Sequence, residues 1–204
     1  MSRPPRLQFP GAVYHLTARG NRRLPIFLAD TDRREFLRVL ARVVRRYAWV
    51  CATYCLMDNH YHLLVRTPEP NLADGMRLLN GLYARRFNAR HKFQGHVFGD
   101  RYHDASVIED SHLLEAARYV VLNPVRGGLC SAPSDWPWSS YRATVGLEPA
   151  PRFLDTGWLL DQFRPELEPA REAYRGFVLD GLGRPPEQEN FLEALPIPHA
   201  VSVD

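Results

Sequence analysis

Apolar and polar residues alternate along residues 13–19, as they do in a strand with one buried face. Apolar residues then recur at helical spacing over residues 36–44, and Asp30 or Thr31 is suited to cap a helix. The pattern therefore predicts a first strand, followed by a helix that runs to about Tyr47.

A hairpin and a second helix are predicted next. Residues 49–57 are rich in aromatic and β-branched side chains, Asp58-Asn59 is a turn pair, and residues 60–65 form a second apolar run. We interpret these as two strands of one antiparallel hairpin. Apolar residues from Leu72 to Phe87 follow at helical spacing with arginines on the other face, so an amphipathic helix is expected there.

A loop, a strand and a third helix complete the pattern. The loop spans residues 92–99, the strand residues 102–107 and the helix about residues 110–122. We expect this helix to stop at Asn123, because Pro124 disfavours helical geometry in the residue before it. The order β-α-β-β-α-β-α predicts an α+β fold, a ferredoxin-like antiparallel sheet with helices on one face.

The composition changes near residue 130, and three parts are predicted. Residues 1–130 form the α+β domain, residues 131–181 a helical extension packed on it, and residues 182–204 an acidic tail that is expected to be mobile. Packing of the extension is expected because two tryptophans as close as Trp136 and Trp138 are rarely both exposed to water. Short helices are predicted in the extension at residues 153–164 and 167–180.

The overall composition is that of a globular protein. The chain has 204 residues, of which 45% are hydrophobic and 24% charged, which excludes a fibrous or wholly disordered chain. No stretch approaches the roughly 20 apolar residues that cross a bilayer, and the amino terminus lacks the apolar core of a signal peptide. We therefore expect a cytoplasmic protein without a membrane partner. The three cysteines are too few for a disulfide scaffold.

Positive charge is concentrated in the first part of the chain. Residues 1–130 contain 20 of the 26 basic residues and 11 of the 23 acidic ones, whereas residues 131–204 have a net charge of −6. All the basic residues except Lys92 are arginines, whose planar guanidinium binds phosphate with two hydrogen bonds. This distribution favours a polyanionic partner, and the alternative is a basic surface that only confers solubility.

His60 and His62 lie two residues apart on a predicted strand. Such residues project from the same face, which places the two imidazoles side by side with Cα atoms about 7 Å apart, so the pair can hold one divalent metal. The alternative is two surface histidines in a hairpin. The flanking residues are apolar on both sides, and a metal would explain a buried pair of imidazoles.

Tyr119 and Asn123 lie four residues apart near the end of the predicted third helix and share one helical face. If that face looks toward the histidines, Asn123 completes a ligand set of two imidazoles and one oxygen, and Tyr119 stands beside the metal as a nucleophile. The alternative is that Tyr119 is a core or surface aromatic and Asn123 a turn residue before Pro124.

These residues lie in two of a set of four ordered motifs, which span residues 9–21, 57–64, 118–129 and 136–141. The set resembles the single-tyrosine transposases of the HUH superfamily, and most closely the REP-associated tyrosine transposases. The resemblance runs through most of residues 5–183. Four ordered motifs are far more specific than a lone His-x-His.

The resemblance implies a role for each matched residue. His60 and His62 match the metal-binding pair, and Tyr119 matches the single catalytic tyrosine. Asn123 stands where relatives place a third polar ligand, often glutamine, and Asp58-Asn59 stands where many relatives have Pro-Asn. The implied cofactor is Mg²⁺ or Mn²⁺, since oxygen ligands favour the first and imidazoles shift the balance toward the second.

The implied activity is DNA transposition, by metal-dependent cleavage and transfer of single-stranded, hairpin-forming DNA. Tyr119 would attack the scissile phosphate and give a 5′-phosphotyrosyl link and a free 3′-hydroxyl. The sequence does not name the group that takes the tyrosine proton. Relatives that exchange the third helix are dimers, so a monomer and a homodimer both remain open.

Basic and aromatic residues beside predicted loops are the candidate DNA contacts, and the two aromatic rings among them are expected to stack on an unpaired base. A solvated position without any contact is the alternative for each. The candidates are Arg19, Arg22, Arg23, Arg85, Arg86, Arg90, Lys92, Tyr102 and His103.

Two other functions remain open at this point. A domesticated protein would bind hairpin repeats without useful turnover, although intact His60, His62 and Tyr119 favour the enzyme. A metal-dependent phosphohydrolase would use water as the nucleophile and make Tyr119 dispensable.

Overall fold

The computed structural model describes residues 8–107 and 110–183, in which a four-stranded antiparallel sheet is the central element. The strands are β1 (Ala12–Arg19), β2 (Val50–Leu56), β3 (His60–Thr67) and β4 (His103–Val107). The helices are α1 (Asp30–Tyr47), α2 (Leu72–His91), α3 (Asp110–Arg126), α4 (Tyr141–Thr144), α5 (Thr156–Leu160) and α6 (Leu167–Leu179). No helix within the described residues is long and apolar enough to cross a membrane. Residues 184–204 of the predicted acidic tail lie outside the described residues.

The elements follow the predicted order β1-α1-β2-β3-α2-β4-α3, and the strands lie side by side as β2-β3-β1-β4. This is the ferredoxin-like arrangement, so the predicted α+β class and antiparallel sheet are confirmed. β3 pairs with β2 as the predicted hairpin and on its other side with β1. The second pairing sets Thr17 opposite His62 and Arg19 opposite His60, so the two histidines lie on a central strand.

The two faces of the sheet pack against different helices. Leu16 and Leu63 belong to a core covered by α1 and α2, whereas Leu64, the next residue along β3, packs against α3. Side chains alternate between the faces of a strand, so neighbouring residues belong to different cores. The expectation that the helices lie on one face holds for α1 and α2 and is corrected for α3. The opposite face also carries apolar residues, including Ala52 and Val107, and these bury one side of α3.

α3 continues through Pro124 to Arg126, which corrects the expected stop at Asn123. A proline inside a helix lacks an amide donor and costs about 3 kcal/mol. Val120 and Val121 are fully buried, and the amide of Gly127 donates to the carbonyl of Asn123 at 2.8 Å, which closes the turn around the proline. Burial of this helix face therefore outweighs the cost of one proline near the helix end.

The chain after α3 returns to the outer edge of β2. The amide of Leu56 donates to the carbonyl of Trp138 at 2.9 Å, and the amide of Ser140 donates to the carbonyl of Tyr54 at 3.0 Å. α5 is shorter than the predicted helix over residues 153–164. Its start is fixed at Thr156, because the side chain of Asp155 caps the helix by accepting from the amide of Trp158. α5 and α6 then pack into the core around α3.

Candidate active site

A cavity of about 790 Å³ opens on the face of the sheet that α3 partly covers. Side chains of β1 and β3 that alternate toward this face line it, together with the turn after β1, the segment that leads into β4, and α3. The lining residues with polar or ionisable side chains are His15, Thr17, Arg19, Asn21, Arg22, Arg23, His60, His62, Asp100, Arg101, His103, Asp104 and Tyr119.

The predicted pair His60 and His62 lies in this cavity with ring centroids 5.0 Å apart. The Nδ1 atom of each ring has a hydrogen-bond partner. His62 Nδ1 lies 3.0 Å from Nε2 of His15, and His60 Nδ1 lies 2.7 Å from Oδ1 of Asn59. The Nε2 atom of His62 is buried and has no hydrogen-bond partner among residues 8–107 and 110–183. Each ring therefore has Nε2 as the atom that remains for another ligand.

Burial keeps the three imidazoles neutral. It lowers the pKa of His15 to about 4, and burial together with the charge of Arg19 lowers the pKa of His60 to about 4. The pKa of His62 is lowered well below its ordinary value, by burial first and then by the charges of His15, His60 and Arg19. Neutral imidazole is the form that binds a metal ion, so the pair is suited to hold one at neutral pH.

α3 brings Tyr119 to the histidines. The tyrosine ring meets the rings of His15 and His62 edge to face, with a centroid distance of 5.7 Å to each. The guanidinium of Arg126, two turns further along α3, lies 5.7 Å from the centre of the tyrosine ring. The structure thus brings Tyr119, His60 and His62 together around one cavity. The chemical role of each residue stays a prediction.

Asn123, the expected third metal ligand, is not among the residues that line the cavity. Its side-chain Nδ2 donates to the backbone carbonyl of Tyr119 at 2.8 Å. In the described part of the chain, no three His, Cys, Asp or Glu side chains form a cluster suited to a metal ion. The two imidazoles fit a divalent ion, because the Nε2 atom of His62 is buried without a partner there. A third ligand from Asn123 stays a prediction.

Three of the arginines predicted to contact DNA, Arg19, Arg22 and Arg23, line the cavity. Arg22 and Arg23 have φ angles of 53° and 61°, in the left-handed region that costs an ordinary residue roughly 1–2 kcal/mol. Hydrogen bonds hold this turn, including one from the Asn59 side chain to the carbonyl of Arg23 at 2.9 Å. Strained backbone of this kind clusters at functional sites, where the surrounding structure maintains it.

Arg86 and Arg90, also predicted as DNA contacts, form ion pairs with carboxylates of α1. Arg86 pairs with Glu35 of α1, and Arg90 donates to the fully buried Asp32 of α1 at 2.7 Å. Neither arginine lines the cavity. These ion pairs connect α2 to α1, so both arginines have a structural role that requires their positive charge.

The remaining candidate contacts are divided between surface and core. Arg85 and Lys92 are exposed toward the end of α2, away from the residues that line the cavity, whereas His103 is exposed and does line it. The expectation that Tyr102 stacks on a base is corrected, because its side chain is only 9% exposed and belongs to the core with α1 and α2.

His15 and Arg101 also line the cavity, although neither is among the site residues predicted from the sequence. His15, Thr17 and Arg19 are the polar positions of the alternating strand β1. Once β1 pairs with β3, these positions share a face with the histidine pair. The alternation of polar and apolar residues in β1 could therefore have identified His15 as a site residue. Arg101 lies in a loop, where no periodic pattern applies.

Comparison with known proteins identifies a family and two similar proteins. The family described as "Transposase IS200 like" matches residues 8–123. A Haemophilus influenzae protein, provisionally named a REP-associated tyrosine transposase, is 26% identical over 149 residues, which cover 68% of this chain and 84% of that protein. A solved structure of a REP-associated tyrosine transposase bound to a REP hairpin has a TM-score of 0.61 at 20% identity, and the match covers 76% of this chain and 94% of that one.

The structural match shows the same fold, and the predicted resemblance to REP-associated tyrosine transposases is confirmed. The family match extends over more than half of the chain and includes His60, His62 and Tyr119. This chain therefore belongs to the IS200-like transposase family.

Proposed function

We propose that this chain cleaves and rejoins single-stranded DNA at hairpin-forming repeats, with Tyr119 as the nucleophile. The observation that carries the proposal is the position of the Tyr119 ring, whose centroid is 5.7 Å from that of His62 in a cavity lined by arginines. Membership of a transposase family supports the reaction class. The relative bound to a REP hairpin supports hairpin DNA as the substrate class.

The proposed reaction is a transesterification. The hydroxyl oxygen of Tyr119 attacks phosphorus, and the bond from phosphorus to the 3′-oxygen of the preceding nucleotide breaks. Tyrosine loses one proton and the leaving 3′-oxygen gains one, so the products are a 5′-phosphotyrosyl link and a free 3′-hydroxyl. One phosphodiester replaces another, so a 3′-hydroxyl can later attack the link, rejoin the DNA and release Tyr119.

His60 and His62 would hold the divalent ion that the family implies, Mg²⁺ or Mn²⁺. Such an ion, when bound, polarises a non-bridging oxygen of the scissile phosphate. The chain itself contributes two neutral imidazoles whose Nδ1 atoms are held by His15 and Asn59, which leaves the Nε2 atoms to bind. Asn123 is the proposed third ligand through Oδ1, since its Nδ2 atom is held by the carbonyl of Tyr119.

Arginines along the cavity are proposed to bind the phosphates on either side of the scissile one. Arg19, Arg22 and Arg23 come from the end of β1 and the turn that follows, and Arg101 comes from the segment before β4. A guanidinium donates two parallel hydrogen bonds to a phosphate, and each such contact adds affinity that depends on salt. These side chains would hold the strand so that one phosphate faces Tyr119.

The test is incubation of the full chain with Mn²⁺ and a single-stranded oligonucleotide that carries a hairpin repeat from the source genome. The oligonucleotide is labelled at its 3′ end, because the fragment downstream of the cut stays on the protein. A denaturant-resistant adduct that disappears in Tyr119→Phe and in His60→Ala/His62→Ala supports the proposal. Tyr47→Phe, at the end of α1 and outside the cavity, is the matched control and should keep the adduct.

Two other outcomes would replace the proposal. Binding of several hairpin repeats without an adduct would indicate a domesticated binder. Cleavage that survives Tyr119→Phe would identify water as the nucleophile, and the protein would then be a metal-dependent phosphohydrolase.

A further inference from the structure

His15 lies between the histidine pair and Tyr119, and the proposed reaction gives it no chemical step. The side chain is 7% exposed, and its Nε2 atom lies 3.0 Å from Nδ1 of His62. The two ring planes differ by 5° and the ring centroids are 5.2 Å apart. Two parallel rings whose nitrogens are much closer than their centroids meet edge to edge, so the contact is an in-plane hydrogen bond between nitrogens.

We propose that His15 is a positioning residue, which accepts a hydrogen bond from Nδ1–H of His62 and so presents the lone pair of His62 Nε2 to the cavity. A neutral imidazole carries one proton, on Nδ1 or on Nε2. Only the form with the proton on Nδ1 leaves Nε2 able to bind a metal. The other form would bury an N–H group that has no partner in the described part of the chain. The inference rests on the proposed function, in which His62 is a metal ligand.

The neighbouring ligand is held in the same way by a group whose orientation is known. The Asn59 side chain donates from Nδ2 to the carbonyl of Arg23 at 2.9 Å, which directs its Oδ1 atom to His60 Nδ1. An amide oxygen can only accept, so Nδ1 of His60 carries the proton and Nε2 carries the lone pair. An acceptor behind each metal-binding histidine fixes the form and direction of the ring, and His15 supplies that acceptor for His62.

His15 also supports the nucleophile. Its ring meets the Tyr119 ring edge to face at a centroid distance of 5.7 Å, the same distance that separates Tyr119 from His62. One buried side chain therefore contacts both the metal-binding histidine and the tyrosine. A histidine that only filled space here could be replaced by an apolar residue of similar size without changing the protonation form of His62.

The test compares the metal-free, DNA-free full chain with two variants, using ¹⁵N-labelled histidine and NMR shifts of the ring nitrogens at neutral pH. Wild type and His15→Gln are expected to carry the His62 proton on Nδ1, because the glutamine oxygen also accepts. His15→Leu is expected to show a mixture of both forms. His96→Gln, in an exposed loop outside the cavity, is the matched control and should leave His62 unchanged. A wild-type His62 protonated on Nε2, or one that keeps its Nδ1 proton in His15→Leu, overturns the proposal.

A second measurement is the affinity of the same proteins for Mn²⁺ alone, followed by electron paramagnetic resonance. Loss of the supporting hydrogen bond is expected to weaken Mn²⁺ binding about 10- to 100-fold in His15→Leu, and less in His15→Gln. Equal affinities of wild type and His15→Leu would also overturn the proposal. If Mn²⁺ does not bind even the wild type, the metal site of the proposed function fails, while the protonation form of His62 in the metal-free protein still decides the role of His15.

Discussion

Arg33 on α1 donates a hydrogen bond of 2.5 Å to the side chain of Asp58, two residues before His60. The guanidinium lies 5.8 Å from the ring centre of Trp136 and 5.6 Å from that of Trp138, in the chain that follows α3. The Arg33 side chain is 10% exposed. One side chain therefore ties the turn that leads into the histidine pair to α1 and to the C-terminal extension.

Replacing Arg33 by methionine removes this tie while keeping an apolar side chain of similar length. Asp58 is 56% exposed, so the ion pair alone contributes little, and most of the loss should come from packing and from the buried end of the hydrogen bond. We expect Arg33→Met to lower the free energy of unfolding by about 1–3 kcal/mol in urea titrations. Arg42→Met, at an exposed position of the same helix, should change it by no more than about 0.5 kcal/mol. Equal changes in the free energy of unfolding for the two variants would show that the contacts of Arg33 do not stabilise the fold.

Asp32 links α1 to α2 from a fully buried position. Burial raises the pKa of its carboxyl, but hydrogen bonds from His91, Arg90 and the backbone amides of Leu28 and Ala29 outweigh that effect, so the pKa is lowered from its ordinary value of 3.8. As pH falls, the unfolded chain therefore takes up the proton first. The contribution of Asp32 to stability is complete above about pH 3.8 and is lost progressively below it.

Asp32→Asn is expected to lower the free energy of unfolding by about 2–3 kcal/mol near neutral pH, which is modest for a buried pair because Arg90 is 36% exposed. The difference from wild type should shrink as pH falls below about 3.8. Asp74→Asn, which breaks a surface pair with Arg77, is the control and should cost less than about 1 kcal/mol. Urea unfolding at a series of pH values measures both. A difference that stayed constant down to the acid limit would contradict the lowered pKa.

Arg22 and Arg23 line the cavity, whereas Arg86 forms an ion pair with Glu35 of α1 outside the cavity, and this distinction predicts different effects on DNA binding. Each phosphate contact with a single strand contributes about −0.7 to the slope of log affinity against log salt. We expect Arg22→Gln and Arg23→Gln each to reduce the slope by about that amount, and Arg86→Gln to reduce stability without changing the slope.

Fluorescence anisotropy with a labelled single-stranded hairpin, in EDTA to prevent cleavage, provides this measurement. Arg77→Gln, at an exposed position of α2 beside Asp74, is the matched control. A slope that falls as much for Arg86→Gln as for Arg22→Gln would place the DNA on α2 rather than at the cavity.

The order of strands and helices was predictable because each element follows from its own local pattern, such as alternation in β1 or helical spacing in α1. The position of α3 was not, because its packing on the opposite face depends on apolar residues of three separate strands. The continuation of α3 past Asn123 was missed for the same reason: the rule for residues before proline is local, and the burial of Val120 and Val121 is not.

The same distinction between local patterns and long-range contacts applies to the site. Tyr119 and the histidine pair were recognisable from motifs within short segments. The contact between His15 and His62 joins residues 47 positions apart and follows from the register of β1 against β3, which no local pattern fixes. The pairing of Arg86 with Glu35, 51 positions away, is likewise non-local, so the sequence alone could not show that this charge has a carboxylate partner.

Tyr119 meets His62 of the same chain, so a single chain contains both parts of the proposed site. We therefore expect a mixture of Tyr119→Phe with His60→Ala/His62→Ala, unfolded and refolded together, to form no DNA adduct. If two chains exchanged α3, mixed dimers would combine an intact tyrosine with an intact histidine pair and restore the adduct. Wild type refolded with either variant is the positive control, and the 3′-labelled hairpin assay is the measurement.

Asn123 holds the carbonyl of Tyr119 through Nδ2 at 2.8 Å, which leaves Oδ1 as the atom that a metal ion would use. An aspartate there cannot donate to that carbonyl, but its carboxylate binds a divalent ion more strongly than an amide does. We expect Asn123→Asp to tighten Mn²⁺ binding while lowering stability by about 1 kcal/mol, and Asn123→Ala to weaken Mn²⁺ binding less than His60→Ala does.

Asn88 offers a matched control, because its Nδ2 atom also donates to a backbone carbonyl, that of Gly95 at 2.9 Å, outside the cavity. Asn88→Asp should lose similar stability and leave Mn²⁺ affinity unchanged, as judged by thermal unfolding and electron paramagnetic resonance. If Asn123→Asp behaves in the same way as Asn88→Asp, the Asn123 amide serves only to close the end of α3, and the two histidines must share the ion with phosphate and water alone.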